Sequence, residues 1–153
     1  MEYSPEALDD LSGRFLTFRI GDALYSIELL HVLEIINVQG ITRVPSLPSY
    51  IKGITNLRGK VVPVIDVRLK FNMPEQPYNE KTCIIVVLIQ NMQVGLIVDS
   101  VDEVATIGAA ARTAPPTLRS ATDTYLRSIA RIGEKNILNI DCEKFFQSDL
   151  NIF

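Results

Sequence analysis

Histidine is scarce in this chain, since His31 is the only one among 153 residues. A metal site with two histidine ligands therefore cannot be built within one chain. A Ser-His-Asp catalytic triad or a Cys-His dyad would have to use His31. This residue lies in the apolar stretch 29–33. We interpret His31 as a structural residue, and the sequence disfavours these kinds of enzyme.

Several other signals are missing. The two cysteines, Cys83 and Cys142, form no CxxC pair, so neither a disulfide framework nor a zinc site is expected, and a reducing cytoplasm is the default location. The longest apolar run, 83–89, has seven residues, whereas a membrane-spanning helix needs about 20. Neither common nucleotide-binding fingerprint occurs. The first residues are neither basic nor apolar, so no secretory signal is expected.

Most of the chain also carries no excess of charge of one sign. The net charge is −3, but residues 1–13 hold four acids and no base, so the remaining 15 bases and 14 acids give +1. Such a near-neutral surface does not favour nucleic acid or anionic lipid. The arginines of 112–131 lack the interleaved aromatic residues of a stacking platform. We expect 1–13 to be a flexible acidic tail and predict no nucleic-acid or membrane partner.

Short apolar segments recur about every ten residues with turn signals between them, which indicates an all-β sandwich or barrel. The predicted strands are 15–20, 24–27, 32–38, 60–66, 82–89, 93–98, 101–107, 125–132 and 136–140. Pro63 within a strand predicts an edge or a bulge. Residues 49–55 are predicted to form a short helix that Ser49 caps. A helical turn is expected at 67–71, a polar linker at 72–81 and an amphipathic helix near the C-terminus.

The two sides of the linker resemble each other. The motif Val-x-Glu-[Ile/Val] occurs at 32–35 and again at 101–104, and Ile-Asp followed by Phe occurs at 65–71 and at 140–146. The offsets are 69 and 75 residues, so about six residues are inserted in the second half, where the loop 108–120 has room for them. Because a half of about 70 residues has a marginal core, we expect the halves to pack together and to leave a binding groove at their junction.

The segment 50–68, with Asn56-Leu57-Arg58-Gly59 at its centre, resembles the signature of the CheW family, the coupling proteins of bacterial chemosensory arrays. The resemblance extends from about Phe15 to Phe146. It implies one domain over 14–150, made of two packed five-stranded, SH3-like antiparallel barrels. We place the barrels at 14–71 and 82–141, and a short C-terminal helix at 142–150. Ser128 stands where the family often has glycine.

The resemblance implies no catalysis and no cofactor. It implies a cytoplasmic scaffold that bridges the tip of methyl-accepting chemoreceptors to the regulatory domain of the histidine kinase CheA. Arg58 and Glu34 match family positions near the receptor face, where opposite charges would orient each other. A groove for a helical tip needs apolar anchors. The predicted receptor-binding residues are therefore Val32, Glu34, Ile35, Lys52, Arg58 and Val101.

For the kinase contact the resemblance points to Thr82 and Cys83, and Leu118 is assigned to a second, ring-closing contact. Alternatives stay open for individual residues, because Arg58 can be a turn residue and the apolar anchors can be plain core. Alternatives also stay open for the function: an adaptor of a pilus-type chemosensory system, a small metal-dependent enzyme using Asp99, Asp102 and Glu103, or a nucleic-acid binder. We expect the isolated chain to be a monomer.

Overall fold

A computed structural model of the chain describes residues 12–114 and 125–150. Most of the predicted tail 1–13 thus lies outside the described residues. The elements are β1 (Arg14–Ile20), β2 (Ala23–Glu28), β3 (Val32–Asn37), β4 (Ile51–Leu57), β5 (Lys60–Asp66), α1 (Val67–Lys70), β6 (Cys83–Ile89), β7 (Met92–Val98), β8 (Ser100–Thr106), β9 (Arg112–Thr113), β10 (Leu126–Ile132), β11 (Lys135–Ile140) and α2 (Cys142–Phe146). Short 3-10 turns occupy Leu29–His31 and Ala109–Ala111.

The strands form two sheets. The first has the order β8-β1-β2-β11-β10-β9, and the second has the order β3-β6-β7-β5-β4. The predicted all-β class with two packed units is therefore confirmed. Two details of the prediction are wrong. The pairs β2–β11 and β5–β7 are parallel, and the two-residue strand β9 brings the first sheet to six strands.

Each sheet takes strands from both halves of the chain. The hairpin β1–β2 lies between β8 and β11, and the hairpin β6–β7 lies between β3 and β5. The linker 72–81 therefore separates the sequence repeats, and the assignment of one barrel to 14–71 and the other to 82–141 does not match the sheets. Because each hairpin finds partners for both of its edges only in the other half, a separated half would expose unpaired edges.

The internal repeat is visible in the hydrogen bonds that precede the two helices. Asp66 and Asp141 each cap a helix by accepting the N–H of its third residue. Their own backbone N–H groups each donate to a tyrosine carbonyl, that of Tyr50 or Tyr125, over 2.8 Å in both cases. The two tyrosines are 75 positions apart, as are the two aspartates, so this structural correspondence supports the duplication.

The central strands are buried on both faces. On β6, Ile84 and Val86 pack inside the second sheet, whereas Ile85 and Val87 pack in a core shared by the two sheets. This double burial explains why 83–89 is an unbroken apolar run without alternation. The fully buried members of the shared core include Phe18, Ile20, Ile27, Ile65, Ile85, Ile89, Phe145 and Phe146.

The predicted helix at 49–55 is wrong, because β4 covers most of this segment. Buried and less buried residues alternate along it with the period of a strand. Gly53 permits a close approach, since a Cβ there would lie 2.1 Å from the carbonyl oxygen of Thr42. The C-terminal helix is shorter than predicted and ends at Phe146.

The interpretation of Pro63 as an edge or bulge residue is also wrong. Pro63 lies on β5, an internal strand, directly opposite Ile54 of β4. The parallel pairing of β5 with β7 begins only at Val64, so the missing N–H of the proline has no ladder partner to lose. The register shift of this hairpin lies on β4, between Ile51 and Gly53.

Candidate functional site

The structure joins Arg58 and Glu34 in a bidentate ion pair. Nη1 and Nη2 of Arg58 donate to the two carboxylate oxygens of Glu34 over 2.6 and 2.7 Å. The hydrogen bonds from Arg58 lower the pKa of the Glu34 carboxyl, and the carboxylate in turn raises the pKa of Arg58. The arginine side chain stays 74% exposed. The pair therefore holds a charged group in one geometry at the surface, where a partner can reach it.

Local backbone geometry places both members of this pair. Arg58 and Gly59 form the two-residue β4–β5 turn with φ of 52° and 81°, as in the type I′ turns that suit hairpins. Asn56 Oδ1 accepts the N–H of Gly59 over 3.0 Å. On β3, the register shifts between Val32 and Glu34, and such a bulge re-aims a side chain at a sheet edge.

Exposed aliphatic side chains occur on the strands next in sequence to the two members of the ion pair. Ile35, one of the predicted anchors, follows Glu34 on β3, an edge strand, and is exposed. Leu33 on β3 and Val61 on β5 are also exposed, Val61 by 63%. Sequence reasoning missed these two residues. The sequence of β5 gives no signal for the exposure of Val61, because the residues after it are buried without alternation from 62 to 66.

Two of the predicted anchors are only partly accessible. Val32 on β3 and Val101 on β8 are half-buried and pack against the shared core. They belong to different sheets, and they occupy corresponding positions in the two repeats. Their partial burial agrees with the alternative that these residues belong to the core. The exposed part of each side chain can still contact a partner.

Lys52 is engaged separately from Arg58. Its ammonium group pairs with Glu75 in the linker and lies 5.8 Å from the centre of the Tyr78 ring. This hydrogen bond lowers the pKa of the Glu75 carboxyl. The structure therefore brings Glu34 and Arg58 together, whereas Ile35 is the exposed chain neighbour of Glu34 on β3 and Lys52 lies further along β4.

The predicted kinase-binding residues differ in accessibility. Thr82 is buried, and its Oγ1 accepts the N–H of Asn79 over 2.9 Å within a local turn. Cys83 begins β6, opposite Asn37 and Val98, and is half-buried. Leu118 lies outside the described residues.

The three acids of the metal-enzyme alternative are not assembled into a cluster. Asp99 accepts hydrogen bonds from Arg68 over 2.8 and 2.6 Å and from the Gly21 N–H over 2.7 Å. Burial pushes the pKa of Asp99 up, but these donors outweigh it and leave the pKa below its ordinary value. Within 12–114 and 125–150, no group of three metal-ligating side chains comes together.

A buried ion pair that the sequence did not reveal links the two repeats. Lys70 at the end of α1 donates to the carboxylate of Asp149 and to the carbonyl of Phe145. The same ammonium group lies 5.1 Å from the ring centres of Tyr50 and Tyr125. Burial lowers the pKa of Lys70 against the opposing effect of Asp149.

The departure at Ser128 also has a structural explanation. The Nδ2 group of buried Asn139 donates to Ser128 Oγ over 2.7 Å, and Asn139 Oδ1 accepts from Ser26. The serine thus supplies an acceptor to an amide that burial cuts off from water.

Comparison with known proteins extends these observations. A family model described as CheW-like domain matches residues 14–150. The chemotaxis protein CheW of Klebsiella aerogenes is 38% identical over 142 residues, which cover 92% of this chain and 86% of that protein. The chemotaxis protein CheW of Bacillus subtilis is 35% identical over 128 residues, covering 83% and 81%.

The fold also matches a solved structure. The crystal structure of the scaffolding protein TtCheW from Thermoanaerobacter tengcongensis superposes with a TM-score of 0.83 at 32% identity, covering 88% of this chain and 92% of that one. Among the residues that the structure describes, no helix is long and apolar enough to cross a membrane.

Proposed function

Because this chain belongs to the CheW-like family, we propose that it is a non-catalytic coupling protein of a chemosensory array. It bridges methyl-accepting chemoreceptors to the regulatory domain of a CheA-type histidine kinase in the cytoplasm. The observation that carries this proposal is the bidentate Arg58–Glu34 pair, whose arginine is largely exposed; the chain neighbours of Glu34, Leu33 and Ile35, are exposed as well.

The surface around this pair suits a helical receptor tip. Helices bind to grooves through apolar anchors, with polar groups at the rim fixing the register. Ile35 and Leu33 supply exposed apolar area on the edge strand β3, and the half-buried Val32 and Val101 supply more. Arg58 offers a planar, always charged donor to a receptor carboxylate or carbonyl, and Lys52 extends the positive rim.

The kinase contact is assigned to the other end of β3 and the start of β6. Cys83 pairs with Asn37, the last residue of β3, and its thiol hydrogen-bonds to the carbonyl of Lys81. Thr82 holds the preceding turn in place and so acts by shaping this surface. Leu118 completes the assignment as the ring-closing contact. The two partners thus meet different parts of one protein.

The contacts of Asp99, one of the three acids of the metal-enzyme alternative, support a non-enzymatic function. Asp99 is committed to Arg68 and to the turn at Gly21, which is a structural role. We propose no cofactor, no nucleic-acid partner, and a monomeric state for the isolated chain. Service in a pilus-type chemosensory system is the alternative, and it would use the same surfaces with another receptor.

The test is co-sedimentation with membranes that contain a chemoreceptor from the same organism. The regulatory domain of the kinase should pellet only when this protein is added, and Arg58→Ala should abolish its effect. Lys60→Ala, in the same hairpin and also exposed, is the matched control and should behave like the unchanged protein. Pelleting of the kinase domain to the same extent without this protein would contradict the bridging role.

A further inference from the structure

A cleft of about 510 Å³ opens in the first sheet, between β8 and the turn that joins β10 to β11. Leu24 and Ile137, both largely buried, lie at its floor, and Ile132 stands at its rim with 40% of its surface exposed. Glu103 on β8 borders the opposite side. The cleft therefore combines apolar walls with a carboxylate at its edge.

The internal repeat identifies the corresponding place in the second sheet. Glu103 corresponds to Glu34 by the offset of 69, and the turn at Gly133 corresponds to the turn at Arg58 by the offset of 75. Both turns have two residues and connect the last two strands of a repeat. In the second sheet, Arg58 spans the distance from this turn to the glutamate.

The first sheet lacks that arginine. Gly133 occupies its position with a φ of 61°, and the residue after it has no positive φ, a pattern of the II′ type that selects glycine first. Within the described parts of the chain, no ion pair to Glu103 occurs. The gap between strand and turn therefore stays open where the second sheet closes it.

The position of Glu103 is fixed in advance. Thr17 Oγ1 donates to the Glu103 carbonyl over 2.8 Å and accepts the Glu103 N–H over 3.0 Å. These bonds lie where the register of β1 and β8 shifts between Leu16 and Phe18. A carboxylate on a backbone held in this way loses little conformational freedom when a partner binds.

We propose that this cleft is a second docking surface of the protein. It takes a partner segment that presents a large aliphatic side chain next to an arginine or a lysine. The aliphatic side chain packs on Leu24 and Ile137, and the cation sits by Glu103 as Arg58 sits by Glu34. Charge complementarity favours a basic partner, because Glu103 and Glu134 border the cleft with Lys135 as the one base among its lining residues. This inference does not depend on the receptor assignment.

The probe is a stapled helical peptide with leucine and arginine four residues apart, which places both side chains on one face. Its binding is followed by amide chemical shifts of the labelled protein. We expect shifts at Glu103, Ala105, Ile132 and Gly133, with affinity about tenfold lower when glutamine replaces the arginine of the peptide.

Variants of the protein separate the two elements of the cleft. Glu103→Gln and Ile132→Ala should each weaken binding by about tenfold. Leu88→Ala is the matched control, since Leu88 on β6 is also 40% exposed, and it should bind normally. Ala105→Leu fills the cleft without changing its charge and should abolish the shifts.

Three results would overturn the proposal. The first is no shift at millimolar peptide, and the second is equal binding of the arginine and glutamine peptides. The third is self-association of the protein that Glu103→Gln dissolves, because a second copy would then be the occupant. Sedimentation of the protein without peptide detects that last case.

Discussion

The Arg58 guanidinium and the Glu34 carboxylate connect the two outermost strands of the second sheet. Glu34 lies on β3, at one edge, and Arg58 lies at the end of β4, at the other edge. The pair therefore spans the opening between the edges, and it does so at the surface. Exposed pairs of this kind add little to stability, so the value of the pair lies in the geometry that it gives to the arginine.

Replacing the arginine should affect binding and spare the fold. We expect Arg58→Ala to lower the affinity for a receptor cytoplasmic fragment by about tenfold or more, the scale of an interface hot spot. Thermal unfolding should change little, because Arg58 is exposed. Calorimetric titration of the variant and of Lys60→Ala checks both statements.

Exchanging the charges of Glu34 and Arg58 tests whether Arg58 contacts the receptor or acts only through the ion pair. The double variant Glu34→Arg/Arg58→Glu keeps opposite charges on the two strands but moves the guanidinium. We expect its receptor affinity to remain as low as that of Arg58→Ala. Full recovery of affinity would show that only the ion pair matters and that Arg58 does not contact the receptor.

The buried pair of Lys70 and Asp149 should be critical for stability. Asp149→Ala leaves the Lys70 ammonium group buried without its counter-ion, which costs about 3–5 kcal/mol of unfolding free energy. Urea denaturation measures this loss. The double variant Lys70→Met/Asp149→Leu removes both charges and should recover most of it. A double variant as unstable as Asp149→Ala would contradict this explanation.

The Arg68–Asp99 pair predicts a pH dependence of stability. Since the pKa of Asp99 is lower in the folded protein than its ordinary value, its contribution is present above about pH 5 and is lost as the pH falls below about 4. The difference in unfolding free energy between the unchanged protein and Asp99→Asn should therefore shrink over that window. Asp102→Asn, an exposed aspartate, controls for the loss of one charge. A difference that stays constant down to pH 2 would contradict the assignment.

Gly53 should not tolerate a side chain. In Gly53→Ala the new Cβ would meet the Thr42 carbonyl oxygen at 2.1 Å, with φ at 145°, so we expect a loss of at least about 2 kcal/mol. Gly40→Ala is the matched control, because nothing lies within 4 Å of a Cβ there. Equal stability of the two variants in urea would disprove the close approach.

Much of the fold could be predicted where the signal is local. The hairpin around Gly21 and the strand 60–66 follow from runs of strand-forming residues and from the turn residues beside them. The sequence predicts a helix at 49–55, where β4 covers 51–57, because Gly53 and the cap-like Ser49 mask the period of two in this strand. The exchange of strands between the halves depends on pairing between residues 31 to 113 positions apart, such as Val64 with Gly95 and Leu24 with Ile137, which no local pattern encodes.

The candidate site was accessible from the sequence only in part. Arg58 and Glu34 came from the family resemblance, and the structure joins them in a bidentate pair. The ion pair of Lys70 with Asp149 could not be predicted from the sequence, since the two residues are 79 positions apart. The open cleft at Glu103 is a property of the folded repeats, because only the structure sets the turn at Gly133 opposite the strand that carries Glu103.

The most direct test of the coupling role is a calorimetric titration with the regulatory domain of a CheA-type kinase from the same organism. The titration is run with and without a saturating receptor fragment. We expect saturable one-to-one binding in both cases, because the proposed receptor and kinase surfaces are separate. Absence of kinase binding, or its loss when the receptor fragment is present, would contradict the proposal that one chain bridges the two partners.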